Sequence, residues 1–128
     1  MKRDHFRHGF SETNWEKAKA EAKQAMISRA RIPKTISYSE LVSAIRAISL
    51  EPHDPRLSHF LGEIAAEEDA AGRGMLTVVV VHKHGDQKPG PGFYEMARGL
   101  GRETSDQEAF WVSELDFVHR AWSKRVAK

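Results

Sequence analysis

The sequence predicts a mixed α+β fold, and three observations carry that prediction. Several segments repeat apolar residues at helical spacing behind recognisable helix starts. One run, Met75-Leu76-Thr77-Val78-Val79-Val80-Val81, is apolar and largely β-branched. The stretch after it is dense in glycine and proline. A chain of 128 residues has the length of one domain. At that size a domain buries roughly two-thirds of the surface exposed by its unfolded chain, enough for a core without covalent staples. Residues 1–10 lack periodicity and read as a flexible basic tail, leaving 11–128 as a single domain.

Taken in order, Thr13-Asn14-Trp15-Glu16 has the form of a capping box, and Trp15, Ala18, Ala22, Ala25 and Met26 follow at helical spacing before Pro33. Thr35-Ile36-Ser37 is short and β-branched, a brief strand. Ser37 with Glu40 opens a second helix whose apolar face is Leu41, Val42, Ile45 and Ile48. Asp54-Pro55 is the strongest helix start in the chain, an acidic cap followed by a proline whose missing amide costs nothing there. Leu57, Phe60, Leu61, Ile64 and Ala65 form the apolar face of that third helix, which Gly72 ends.

Met75–Val81 reads as a strand, and four consecutive valines imply cover on both of its faces. His82 to Gly92 is a loop, and Phe93–Arg98 is a short strand or one or two helical turns. Ser105 with Glu108 forms a third capping box and opens a last helix carrying Trp111, Leu115, Val118 and Trp122 on one face.

Composition excludes some chemistry outright. There is no cysteine, hence no disulfide, thiolate metal site or thiol nucleophile. No apolar run approaches the ~18 residues of a membrane span. The basic N-terminus has no apolar stretch behind it, so the expected location is cytoplasmic, with no membrane partner. Net charge is +2 but uneven: residues 1–34 hold nine Lys/Arg against four Asp/Glu, and residues 35–72 hold two against seven. A basic front third can meet a phosphate backbone, where neutralised phosphates release counterions, or it can be a solvated helix face.

Two constellations stand out. His82, His84 and Asp86 alternate off the end of the valine run, so in extended chain their side chains point one way and could converge on a metal ion or another ligand, or be polar turn residues. Pro89-Gly90-Pro91-Gly92 is rigid and poor in side chains beside Lys83 and Lys88, and could offer backbone amides to a phosphate or simply turn the chain into Phe93. It lacks the Gly-Lys-Ser/Thr ending of a nucleoside triphosphate loop. Asp116 and His119 are neighbours on one helix face, a surface pair rather than a catalytic dyad. No serine sits in a nucleophile elbow, no motif identifies an enzyme, and no cofactor is expected.

The element order, three helices with a small sheet, a glycine- and proline-rich wing loop and a C-terminal helix, fits a winged helix-turn-helix. Thr35-Ile36-Ser37-Tyr38-Ser39-Glu40-Leu41, Phe60-Leu61-Gly62 and Pro89-Gly90-Pro91-Gly92-Phe93 together resemble the DNA-binding domain of the alkyltransferase and alkyltransferase-like proteins. The likeness runs from Ile36 to Phe93, under half of the chain. That family's Pro-Cys-His-Arg motif falls on Leu76–Val79, with Thr77 near the reactive cysteine, so the resemblance implies the fold and excludes alkyl transfer. The arginine that the family inserts into duplex DNA falls near His59, and its backbone-contacting tyrosine on Tyr38, which equally suits a core aromatic. The third helix carries Glu63, Glu67, Glu68 and Asp69, a charge that phosphates repel.

The leading expectation is therefore a non-enzymatic winged-helix-type module that binds nucleic acid or regulates. Its contacts with duplex DNA would run through Lys17, Lys23, Arg29, Tyr38, Lys83 and Lys88. The alternatives are a protein-interaction domain or homodimer anchored by Phe93-Tyr94, Phe110-Trp111 and Trp122, and a small ligand- or metal-binding protein or enzyme using the loop His82–Phe93.

Overall fold

The computed structural model of the chain describes residues 6–32, 34–82 and 88–126. It begins with a hairpin where the sequence suggested only tail: β1 (Phe6–Arg7) pairs antiparallel with β2 (Phe10–Ser11). His8 and Gly9 between them have φ of 52° and 89°, the left-handed pair of a two-residue hairpin turn. Arg56 holds this hairpin down, donating to the His8 carbonyl at 3.2 Å and lying over the Phe10 ring.

Helix α1 (Glu12–Ala30) starts two residues before the expected box. Its cap is Ser11, whose hydroxyl accepts the Asn14 amide at 3.2 Å, rather than Thr13 with Glu16. Ser11 leaves the hairpin with φ −65° and ψ 147°, already the extended geometry a cap needs, so the helix begins where the strand stops. Strand β3 (Ile36–Ser37) and helix α2 (Tyr38–Ala44) follow as read, with the Ser37/Glu40 box closed in both directions at 3.1 and 3.0 Å. Helix α2 is shorter than its apolar spacing implied. Glu21 of α1 accepts the amides of Arg46 and Ala47 at 2.8 and 2.9 Å. Those amides lie beyond the end of the helix, so Ile45 and Ile48 reach the core from outside it.

Helix α3 (Pro55–Ala70) has the expected cap: Asp54 accepts the Arg56 amide at 2.9 Å with Pro55 at the first position, and Gly72, at φ +82°, turns the chain away. The valine run departs from the reading. Leu76–Val79 is a 3-10 helix, and only Val80–Val81 forms a strand, β4. The reason is the backbone. β4 pairs in parallel with the two residues of β3, Ile36 with Val80 and Ser37 with Val81, so among the described residues no ladder satisfies a longer strand. Within the 3-10 turn the amides bond locally, Val78 to the Met75 carbonyl at 2.9 Å and Val80 to that of Thr77. Helix α5 (Gln107–Val126) meets the remaining demand: Glu114 accepts the Met75 amide at 2.8 Å, and the Trp111 indole donates to the Val78 carbonyl at 3.2 Å. The run is buried by α1, α3 and α5 on its several sides, which is why it reads as uniformly apolar.

Phe93–Arg98 takes the helical alternative of the two expected, but its helix, α4 (Pro91–Gly99), begins inside the expected loop, because Pro91 suits the first helical position and Gly90 precedes it as the cap. Asp106, not Ser105, caps α5, accepting the Ala109 amide at 3.0 Å. One apolar cluster collects residues from all five helices, among them Trp15, Met26, Leu41, Phe60, Ile64, Ala97, Val118 and Trp122. Among the described residues no helix is long and apolar enough to cross a membrane.

The uneven charge along the sequence is resolved inside the fold. Lys19 of α1, only 4% exposed, reaches Glu63 and Glu67 of α3 at 3.0 and 2.6 Å, and Glu16 on its own helix at 3.3 Å. Glu68, 1% exposed, is held between Lys23 at 3.0 Å and Arg73 at 2.7 Å. The basic front third and the acidic middle third face each other across α1 and α3.

Candidate functional site

A cleft of about 420 Å³ opens where the starts of α2, α3 and α4 meet the end of β4. Its apolar wall includes Leu57, Leu61, Phe93 and Met96, and Tyr38, His53, Ser58 and His82 bring polar groups to it. Local sequence builds each side. The Ser37/Glu40 box sets the first turn of α2, which carries Tyr38 into the cleft. Pro91 sits at the start of α4 behind Gly90, a cap residue with no side chain to offer the first-turn amides.

Tyr38 is the link between the two walls. Its hydroxyl accepts the Gly90 amide at 3.1 Å, and its ring lies 5.1 Å from that of His82. Burial raises the phenol's pKa, opposed by the Gly90 hydrogen bond, so the hydroxyl stays neutral and keeps its own proton to donate. Gly90 leaves little room beside these two side chains. A Cβ at that position would stand 3.3 Å from the His82 Nε2 and 3.5 Å from the Tyr38 oxygen. Asp54 also lines the cleft, but its carboxylate is taken up by the Arg56 guanidinium at 2.8 Å and by the Arg56 amide. Those bonds hold its pKa down to about 2. Its charge is thus balanced on the spot. The loop closes on itself through the His82 amide, which donates to the Lys88 carbonyl at 3.0 Å.

The structure separates the residues that sequence reasoning grouped. Tyr38 and His82 come together, while Lys83, His84 and Asp86 lie outside the described residues. Among the described residues no cluster of three His, Asp or Glu side chains could hold a metal ion. Of the cations assigned to a phosphate backbone, Lys17 is exposed on α1. Lys23 pairs with Glu68 at 3.0 Å, and Lys88 with Glu108 at 2.7 Å. Arg29 donates to the Thr35 carbonyl and lies 3.5 Å from Glu40. Asp116 pairs with Arg120 at 3.0 Å rather than with His119, which faces the Lys34 carbonyl. The aromatics considered as interface anchors are packed inward instead: Phe93, Tyr94 and Trp122 are buried, and Phe110 and Trp111 lean on the core.

Sequence reading missed His53, Ser58 and the apolar wall of α3. The signal for the wall was present as helical periodicity, but only the fold shows that Leu57 and Leu61 are shared between core and cleft. Protein-family models, curated proteins and solved structures contain no match to this chain.

Proposed function

We propose that the chain is a non-enzymatic module that binds a small, mostly apolar molecule carrying an acidic group in the cleft between α3 and α4. The observation that carries this reading is the meeting of Tyr38, His82 and Gly90 at one end of an apolar-walled cleft of about 420 Å³. A cleft of that size with a few convergent polar groups suits a small ligand. Leu57, Leu61, Phe93 and Met96 receive the apolar body. An acidic group at the other end meets the Tyr38 hydroxyl, the two histidines and the positive end of α4. Asp54 does not oppose it, because Arg56 already compensates that carboxylate.

The test is a titration of the labelled protein with 2-naphthoate, followed by amide chemical shifts, with 2-naphthalenemethanol as the uncharged control. Saturable shifts should gather at Tyr38, Ser58, His82, Gly90 and Gly92, and the alcohol should bind at least tenfold more weakly. No shifts at millimolar naphthoate, or shifts centred elsewhere, refute the reading.

A second reading, a winged-helix-type module holding duplex DNA, has one observation in its favour: α1, β3, α2, α3, β4 and the glycine- and proline-rich loop follow one another in the order of that fold. The engagement of Lys23, Arg29 and Lys88 by acidic partners weighs against it. Duplex affinity that falls steeply with added salt would restore this second reading, because phosphate contacts must show counterion release.

A further inference from the structure

We propose that Met96 is the floor of the cleft and sets the length of the acid it accepts, so that the ligand class is a compact aryl carboxylate; this conclusion rests on the cleft being a site for an apolar acid. Two contacts between α3 and α4 fix the geometry. A Cβ on Gly92 would stand 3.9 Å from the Ser58 hydroxyl oxygen. A Cβ on Gly62 would stand 3.6 Å from the Met96 sulfur and 3.8 Å from its Cγ. The steps from Ser58 to Gly62 and from Gly92 to Met96 are each about one helical turn. The two helices therefore run in the same direction here, face to face and in register.

Residue size then decides where the space between them is open. At the level of Ser58 and Gly92 both residues are small, and the gap stays free. One turn deeper α4 presents a long side chain and α3 none. The Met96 thioether crosses to Gly62 and closes the gap, so Met96 lines the cleft and Gly62, behind it, does not. The acid end lies at Gly90, where Tyr38 and His82 meet. The levels of Gly90 and Met96 are about 9 Å apart along α4 at the helical rise. Two fused rings behind a carboxylate fill that depth. Two rings joined end to end overrun it and press on the thioether. An unbranched methionine can settle closely on such a ligand, but it cannot leave the gap while Gly62 and Leu61 stand behind it.

The test compares 2-naphthoate with the longer biphenyl-4-carboxylate on the full chain, isotope-labelled at its methionine methyl groups. Saturation with naphthoate should move the Met96 methyl resonance, assigned by its loss in Met96→Leu, while the fully buried Met26 and Met75 serve as unmoved references. In calorimetric titrations the wild type should bind naphthoate at least tenfold more tightly than biphenyl-4-carboxylate. Met96→Ala, which removes the floor, should improve biphenyl-4-carboxylate at least tenfold and change naphthoate less than threefold. Met96 is half-buried and its loss could disturb α4, so the methyl shift in the unaltered chain decides the question by itself. Naphthoate that shifts the Tyr38 and Gly90 amides but leaves the Met96 methyl unmoved overturns the floor and leaves the acid site standing. A folded Met96→Ala chain that keeps the wild-type preference does the same. A wild type that binds no naphthoate overturns both.

Discussion

The Tyr38 hydroxyl accepts the amide of Gly90, a residue 52 positions later, at 3.1 Å. This bond ties the first turn of α2 to the start of α4 and sets the corner of the cleft in which His82 also stands. Removing only the oxygen is a sharp probe. Tyr38→Phe leaves the half-buried ring in place and the Gly90 amide unmatched, at a cost of about 1–3 kcal/mol. Naphthoate binding should weaken together with stability.

Gly90→Ala separates the two effects. The φ of Gly90 is −75°, which alanine adopts without strain, so the fold should hold. Its methyl group would press on the His82 ring and the Tyr38 oxygen, so naphthoate affinity should fall while the melting temperature moves little. Calorimetric titration beside a thermal melt checks both.

Glu68 predicts an acid limb of stability. Burial opposes its ionisation, but the Arg73 and Lys23 bonds outweigh burial and lower its pKa. A carboxylate with a depressed folded pKa stabilises fully above its unfolded value and loses that contribution as pH falls through the folded one. Denaturant midpoints should therefore hold steady above about pH 4.5 and decline below it. Glu68→Gln should lose about 2–3 kcal/mol at neutral pH, the size of a charged hydrogen-bond loss, and show a shallower acid decline. Glu21, Glu40 and Asp54, whose pKa values are also lowered, keep some of the decline in that variant.

Thr77 predicts a gain. It is 3% exposed within the 3-10 turn, and its hydroxyl oxygen has no hydrogen-bond partner among the described residues. Valine has nearly its shape and no polar atom to leave unmatched. Thr77→Val should raise stability by about 1 kcal/mol, read as a higher denaturant midpoint. A lower midpoint would mean that the hydroxyl is satisfied.

Trp122 closes the core from α5. It is 8% exposed, with the Arg73 guanidinium 5.5 Å from its ring centre. Trp122→Ala should cost about 3–5 kcal/mol, the loss typical of a large buried aromatic. An unchanged midpoint would contradict the packing described for this face.

Helix starts were the most legible part of the fold. Ser37 with Glu40 and Asp54 with Pro55 act through residues two or three positions away, so the necessary partners are visible in the local sequence. Where a cap was misplaced, at Thr13 and Ser105, the neighbouring chain chose between adjacent candidates: Ser11 at the end of a strand, and Asp106 with its carboxylate on the Ala109 amide. In the candidate site, Tyr38, His82 and the glycine–proline loop could be picked out as residues of interest, whereas His53, Ser58 and the wall of α3 had no motif to mark them.

What the amino-acid order alone determined is thus local: the α+β class, the apolar faces of α1, α3 and α5, and the third-helix start. What only the tertiary structure decided depends on distant partners. Leu76–Val79 became a 3-10 turn because Glu114, 39 residues from Met75, and Trp111 from the same helix accept and donate where no strand partner stands among the described residues. The basic front third became a structural feature because Lys19 meets Glu63 across 44 residues and Lys23 meets Glu68. Backbone hydrogen bonds and buried charges must be satisfied wherever a partner can be found, and for these groups the partner stood far along the chain.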